Sequence, residues 1–465
     1  MSTESTMTLP VTAAASRAER EEAGRAVREQ VPRGSLGEWS PPASRRDPVD
    51  ILGEQDADRV PELVPIRYGR MAQSPWTFLR GAAAVMAADL GSRPRTSLFA
   101  QLSGDAHLAN FGLFSAPDRR LLFDLNDFDE THPGPFEWDL TRLAVSIVVA
   151  SIENGARPSE AAVAVRQAMA AYRRVMAGLA DASRMDVWYF RVEFEDVIAG
   201  LRNKSMRRAA KTARAQSKRR NHLRSFAKLT EERDGRRRIV ADPPLIVPIP
   251  DDVADTEIEL IRTLLTDYRS SLPAASRHVL DGFRTVDVAR KVVGVGSVGT
   301  RALMVLMVDG DGHPLLLQVK EAGTSVLAEH VGAAPEGPAG RRVVEGQQLI
   351  QGSSDIFLGY TTVEREGRSV DFYVRQLRDG KASIAIEQLD ARGIGAYGAL
   401  CGAVLARAHA RSGDASAIAG YLGDGDRADR AVAEFALAYA AQNRADHEAL
   451  VQAIADGRIE SRSDL

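Results

Sequence analysis

Asp105 and Asn110 stand five residues apart in LSGDAHLANF (102–111), with His107 between them. The segment follows the short strand-like run SLFAQL, so these side chains fall on a loop leaving a strand. A carboxylate five residues ahead of an amide suits phosphoryl transfer. The acid accepts the proton of an attacking hydroxyl, and the amide helps hold a magnesium ion on the phosphates. The plainer reading is an Asx-rich turn between two strands. Further on, LLFDLNDFDE (121–130) places three aspartates and a glutamate at a strand end, and clustered hard oxygen ligands suit magnesium. Asp124 has the better spacing from Asp105, whereas Asp127 begins an Asp-Phe dipeptide and sits better relative to the next motif. Both stand as candidates for the metal.

The second half supplies groups that a nucleotide needs. Gly294, Gly296 and Gly299 form a GxGxxG turn between two strand-like runs. That context fits a loop covering phosphates, because a dinucleotide fold would place a helix directly after the glycines. Lys320 ends the third strand of this region, in LLLQVKEA, where a lysine can bridge phosphates. A helix follows, and Glu345 in RRVVEGQQL is the expected partner of Lys320, with Glu329 as the fallback. Two more strands, DIFLGYTTV and VDFYVRQL, complete a run of three strands, helix, two strands.

These motifs carry resemblances. The loop resembles the Gly-Asp-x-His-x-x-Asn element of aminoglycoside phosphotransferases and choline kinases, members of the protein-kinase-like superfamily. Gly104, Asp105, His107 and Asn110 all match, while Ser103 stands where those enzymes commonly carry a histidine. The acidic run resembles the Asp-Phe-Gly metal motif and its relatives. Asp139, in FEWDLTRLAVSI, resembles the aspartate at a helix start that hydrogen-bonds the catalytic-loop backbone. The second half has the element order of a kinase nucleotide lobe, in which Lys320 pairs with a helix glutamate. Lys320 comes 215 residues after Asp105, the reverse of the usual order, so the resemblance implies a circular permutation. LCGAVLARAHA, ending at His409, would then precede the catalytic loop in space, with Trp76 to Leu90 competing for that place. From about Arg45 onward the chain also resembles a bacterial family known as domain of unknown function 2252. This rests on RYGRMAQSPWTFLRG, GDAHLANFG, FDLNDFDE, PGPFEWDLTRLA, RVVEGQ, YVRQLRD and LARAHARSGD.

The elements that must position these groups are those of an ordinary globular chain, 44% hydrophobic and 26% charged over 465 residues. That length exceeds one core, so two lobes are expected. Residues 1–50 have few large apolar side chains and read as a disordered tail. Residues 51–285 read as a mainly helical lobe bearing the catalytic loop, 286–385 as a β-rich nucleotide lobe, and 386–465 as helices packing on the helical lobe. The net charge of −3 gives no global attraction to nucleic acid or membrane. Arg202 to Arg224 holds ten Lys or Arg and no acid, but no stacking aromatic is interleaved, which argues against a nucleic-acid partner. It reads as a solvated helix face. Arg67, Arg70 and Arg80 are candidate anion contacts. The lone Cys401 reads as a small buried hydrophobe. With neither a signal-peptide core nor a membrane-length apolar run, a cytoplasmic location is expected. The expectation is therefore an α+β, two-lobe, protein-kinase-like fold in permuted order, using ATP and Mg2+ to phosphorylate a small-molecule hydroxyl or similar group. The alternatives are AMP transfer on the same scaffold, or a non-catalytic nucleotide- or RNA-binding protein.

Overall fold

The computed structural model describes residues 15–219, 222–233, 235–249, 254–291, 298–332, 336–365, 367–377 and 380–462. It is a mixed helix-and-sheet architecture. The chain opens with α1 (Arg17–Gln30), α2 (Pro48–Glu54), α3 (Val64–Met71), α4 (Pro75–Gly81) and α5 (Ala83–Gly91). Two antiparallel pairs follow: β1 (Phe99–Leu102) with β4 (His132–Pro135), and β2 (Phe111–Ser115) with β3 (Leu121–Leu125). Next come α6 (Phe136–Glu153) and α7 (Pro158–Asp181), then α8 (Arg184–Tyr189), α9 (Phe194–Gly200), α10 (Lys204–Arg219) and α11 (His222–Leu229).

The β-rich part begins with a small hairpin, β5 (Thr230–Arg233) and β6 (Arg236–Ile239). It continues through β7 (Ile246–Pro248), α12 (Ala254–Ser271), α13 (Ala274–Leu280), β8 (Arg284–Lys291), β9 (Ala302–Val308) and β10 (Pro314–Glu321). The short α14 (Ala328–Val331) and then α15 (Ala339–Ile350) precede the hairpin β11 (Gly359–Arg365) and β12 (Arg368–Gln376). The six-stranded sheet runs β11-β12-β10-β9-β8-β7. The chain ends with α16 (Ala391–Ser412), α17 (Ala415–Leu422) and α18 (Arg427–Ala455).

Strand periodicity decides what each face of the sheet carries. Val305 and Met307, with Leu315, Leu317 and Val319, pack under Leu264, Tyr268 and Leu272 of α12. Met304, Leu306 and Leu316 face the other way, toward Leu229, Ile239 and Ile246. Lys320 shares the face of Leu316 and Gln318. The sheet lobe therefore reaches back to take in β7, α12 and α13, so its start at residue 286 moves earlier. The helices gave no sign of this, because an apolar helix stripe does not say which surface it will cover.

The largest core gathers α6, α7, α16 and α18 with β1 to β4, and it includes Val343, Val344 and Ile350 of α15. Cys401 is buried in it. α15 therefore bridges the sheet to the helical part. A second tie is the connector after β12, where Leu113 N–H donates to the Ala382 carbonyl at 2.7 Å and Ala382 N–H returns to Leu113 at 3.1 Å. The run Trp76 to Leu90 forms two helices broken at Ala82, whose φ of −111° and ψ of 38° are not helical. No helix among the described residues is long and apolar enough to cross a membrane.

The N-terminal segment corrects the expectation of a disordered tail, since from residue 15 onward it is packed structure. Ser16 caps α1 with a reciprocal Glu19 contact, and Val31 and Leu36 are buried in the main core. Small residues replace large apolar ones at this contact. A Cβ on Gly24 would sit 1.9 Å from the Ala417 carbonyl oxygen, and one on Gly420 would sit 2.1 Å from the Glu21 carbonyl oxygen. Composition counts large apolar residues and misses close backbone contact. Gly24→Leu is therefore expected to destabilise the chain by about 1–3 kcal/mol through overpacking, read as a lower midpoint in urea with an unchanged slope.

Candidate functional site

The Ser103–Asn110 loop is held from beneath by one buried carboxylate. Asp139, in the first turn of α6, accepts the backbone N–H of Ser103 at 2.7 Å and of Gly104 at 3.0 Å. His409 of α16 lies 3.3 Å from the same carboxylate and 2.8 Å from the Tyr172 hydroxyl. Gly104 has φ +83°, and a Cβ there would fall 2.1 Å from the Glu130 carbonyl oxygen. Only glycine fits that left-handed, crowded position. The end of α16 abuts β1, where Gln101 N–H donates to the Ser412 hydroxyl at 3.1 Å. α16, late in sequence, thus stands directly behind the loop.

Within the loop, Asn110 Nδ2 donates to the Asp105 carbonyl at 2.7 Å, leaving its amide oxygen as the atom able to meet a ligand. Arg142, one turn after Asp139 on α6, donates Nε to Asp105 Oδ1 at 2.8 Å. His107 Nδ1 accepts the Ala109 N–H at 3.2 Å, which places the imidazole proton on Nε2, 3.5 Å from Asp105 Oδ2. Burial pushes His107 down to about 3, so the ring is neutral near pH 7. Burial also raises the Asp105 carboxyl, but the charges and hydrogen bond beside it more than offset this and hold it below the usual range. The guanidinium groups of Arg142 and Arg80 both act on it in that direction.

The acidic run divides its carboxylates between separate tasks. Asp124, in β3, is buried against Arg407 Nη2 at 2.5 Å and also accepts Gly352 N–H at 2.8 Å and Leu125 N–H at 2.9 Å. Its oxygens are committed, so of the two metal candidates only Asp127 lines the cleft. Asp127 Oδ1 is buried with no hydrogen-bond partner among the described residues. Burial and the neighbouring Asp129 raise its carboxyl. Asp129 pairs with Lys320 Nζ and accepts the Tyr373 hydroxyl at 2.8 Å. Lys320 and Tyr373 are cross-strand partners of β10 and β12, which delivers both to one carboxylate. Burial opposes charge on Asp129, yet Lys320 outweighs it and holds the carboxyl low.

One cleft of about 500 Å³ collects these groups. Asp105, His107, Asn110, Asp127, Asp129 and Glu130 line it from one side, and Thr300, Glu321, Gly323 and Thr324 line it from the sheet. Lys320 is 2% exposed and lies behind that lining, paired with Asp129. No three His, Cys, Asp or Glu side chains among the described residues converge as a ready metal cage. Asp127 and Asn110 both line the cleft and are the side chains there that could hold a metal ion.

Three expectations need restating. Glu345 pairs with Arg341 at 2.7 Å and its side chain is 57% exposed, away from the buried Lys320. Glu329 is exposed at the cleft, so Asp129 holds the partner role that was assigned to a helix glutamate. Gly294 and Gly296 lie outside the described residues. Gly299, at φ +96°, has its carbonyl tied to Val60 N–H at 2.7 Å, and Arg59 Nη1 donates to Val298 O beside it. The basic stretch forms α10, with Met206, Ala209, Ala210 and Ala213 buried, while Arg220 lies outside the described residues.

Sequence reasoning missed Asp129, Tyr373, Arg142 and Arg59. Asp129 was visible as the last aspartate of the acidic run, and Arg142 as the residue one turn beyond Asp139. Nothing in the sequence marked Tyr373 or Arg59.

Two outcomes follow from these environments. Asp124→Asn leaves the Arg407 guanidinium buried without its counter-charge and should cost about 3–5 kcal/mol, whereas Asp127→Asn changes a carboxylate with one oxygen lacking a hydrogen-bond partner and an acid beside it, and should cost less than Asp124→Asn in denaturant. Burial raises Glu130 to about 7 from 4.5. The folded chain then binds more protons than the unfolded chain between those values. Stability should fall as pH rises through that window and level off above it, and Glu130→Gln should flatten that part of the profile.

A family described as "Uncharacterized protein conserved in bacteria (DUF2252)" matches residues 59–453. No curated protein and no solved structure matches the chain. Across that length, which spans the acidic loops, the sheet and the helix behind the loop, the chain belongs to the DUF2252 family of bacterial proteins.

Proposed function

We propose that the chain is an ATP- and magnesium-dependent phosphotransferase acting on a hydroxyl or similar group of a small molecule, on a kinase-like scaffold in permuted order. The observation that carries this reading is the single cleft lined by Asp105, Asn110, Asp127 and Asp129, with Lys320 paired to Asp129 although it lies far along the chain from the others. Phosphoryl transfer is mostly positioning and charge stabilisation, so such groups are useful only around one nucleotide. The sheet's order of three strands, helix, two strands agrees with a kinase nucleotide lobe. α16 behind the loop agrees with a permutation of the same wheel.

In this reading Asp105, kept ionised by Arg142, orients the acceptor hydroxyl and takes its proton. Neutral His107 donates toward Asp105 Oδ2 and fixes the carboxylate plane. Asp127 and the Asn110 amide oxygen hold magnesium, which when bound neutralises phosphate charge. Lys320, positioned by Asp129 and Tyr373, offers its ammonium to the phosphates, and the turn at Gly299 covers them. The low carboxyl of Asp105 makes it a weak base. That suits a loose transition state in which the proton leaves late.

The test is a thermal melt with nucleotide, because a ligand bound only by the native state adds about 2.7 kcal/mol at a hundredfold excess over its dissociation constant. ATP with magnesium should raise the midpoint, and Asp127→Asn should abolish the metal dependence. Asp105→Asn should keep the nucleotide-induced rise but lose on the order of 10² to 10⁴ in ADP formation, and Lys320→Met should weaken the nucleotide response itself. A wild-type midpoint indifferent to nucleotide would overturn the proposal, and an AMP-bearing product would replace phosphoryl by nucleotidyl transfer.

A further inference from the structure

The arginines around the cleft differ in how many of their donors are used. Arg67, fully buried, donates to Asp56 at 2.9 Å and to Gln55 at 2.7 Å, although its Nε has no partner among the described residues. Arg142 spends its donors on Asp105 at 2.8 Å and on the Leu79 carbonyl at 2.5 Å. Arg80 differs. It lines the cleft, yet its Nε is buried with no hydrogen-bond partner among the described residues. Its guanidinium carbon rests 6.0 Å above the Trp76 ring, and Trp76 in turn meets His107 edge to face at 6.1 Å.

A guanidinium carries five donors, and burying one of them without an acceptor costs free energy; other arginines here offset that with hydrogen bonds from their remaining donors, whereas Arg80 forms none among the described residues. Burial alone lowers the Arg80 pKa, with Asp105 and Glu387 as its charge neighbours. Asp105 is already bonded to Arg142, so Arg80 is not there to hold it. The walls nearby are small and apolar, Ala83, Ala84, Ala88 and Ile51. The acids toward this end carry less free negative charge than their number suggests: Glu54 is paired with Arg46, and Glu130 is raised to about 7.

We infer that Arg80 reads an anionic group on the acceptor, so that the hydroxyl presented to Asp105 belongs to a small molecule bearing a carboxylate or a phosphate. This rests on the phosphotransferase reading. A guanidinium fork matches either oxyanion. Its seat on Trp76, itself packed on His107, places the anion one side chain away from the loop that activates the hydroxyl.

The experiment uses the full chain saturated with magnesium and a non-hydrolysable ATP analogue. Glycerate, glycerol phosphate, glycerol and ethanolamine are titrated in turn, followed by melting temperature and by the tryptophan emission lost in Trp76→Phe. Glycerate or glycerol phosphate should bind saturably, and whichever binds more tightly identifies the carboxylate or the phosphate. Glycerol and ethanolamine should give no response. Arg80→Ala should weaken anion binding by about tenfold or more, with Arg80→Lys between the two. Ethanolamine bound in preference, anion binding unchanged in Arg80→Ala, or no response to either anion would overturn the inference. The nucleotide melt keeps the two failures apart. Nucleotide stabilisation without an anion response sinks only the acceptor assignment, and an Arg80-dependent anion response without nucleotide stabilisation sinks the phosphotransferase reading.

Discussion

The ion pair between Lys320 and Asp129 joins a sheet strand to an acidic loop 191 residues earlier, and the cleft exists because those two segments are drawn together. Taking both charges out of water is expensive, and their attraction offsets that cost only when the remaining donors and acceptors are satisfied. The Tyr373 hydroxyl supplies one such contact, from the strand position directly opposite Lys320. Arg342 supplies a second tie by donating to the carbonyls of Asp129, at 2.8 Å, and of Thr131, at 2.5 Å, from α15. The sheet is thereby fixed to the loop by strand and helix together, and Asp127 next to the pair is left with an oxygen facing nothing.

On the opposite wall the same economy holds with backbone groups in place of a lysine. Asp139 gathers two N–H donors of the Ser103–Gly104 turn and faces His409, which is held in turn by Tyr172. The turn after β1 and the helix α16 thus meet at one carboxylate of α6, with α7 bracing the histidine from behind. This rigidifies the loop at its base, so Asp105 and Asn110 project from a fixed turn. The glycine at 104 is required because the Glu130 backbone crosses too closely for a side chain. Through that crossing the loop and the acidic run are packed on each other.

The N-terminal segment closes the third side. Arg59 and Val60 grip the Val298 and Gly299 carbonyls, so the visible end of the glycine turn is pinned by the start of the chain. Residues from Arg46 to Arg59 also line the cleft. Of these, Arg46 belongs to the stretch whose composition suggested a tail, and that stretch is held by glycine contacts and by Arg45, which bridges Asp89 and Asp446 at 2.8 and 2.6 Å. Arg80, on this wall, forms no hydrogen bond among the described residues, while Arg67 and Arg142 do.

The sequence by itself determined the local pieces. The Asp105–Asn110 spacing, the strand ending in Lys320, the run of three strands, helix and two strands, and the helix carrying Asp139 all follow from short-range periodicity and turn chemistry. Tertiary structure decided which acid serves which partner. Asp124 and Asp127 are three residues apart on one strand end, and only the arrival of Arg407 from α16 turns the first inward and leaves the second facing the cleft. Glu345, with Glu329 as the fallback, was the expected partner of Lys320, but Glu345 lies at the solvent side of α15 beside Arg341, and Asp129 pairs with the lysine instead. Such choices are invisible in one dimension because a carboxylate's charge is the same everywhere. Its role is set by whether burial, a cation or an N–H meets it once distant segments have packed.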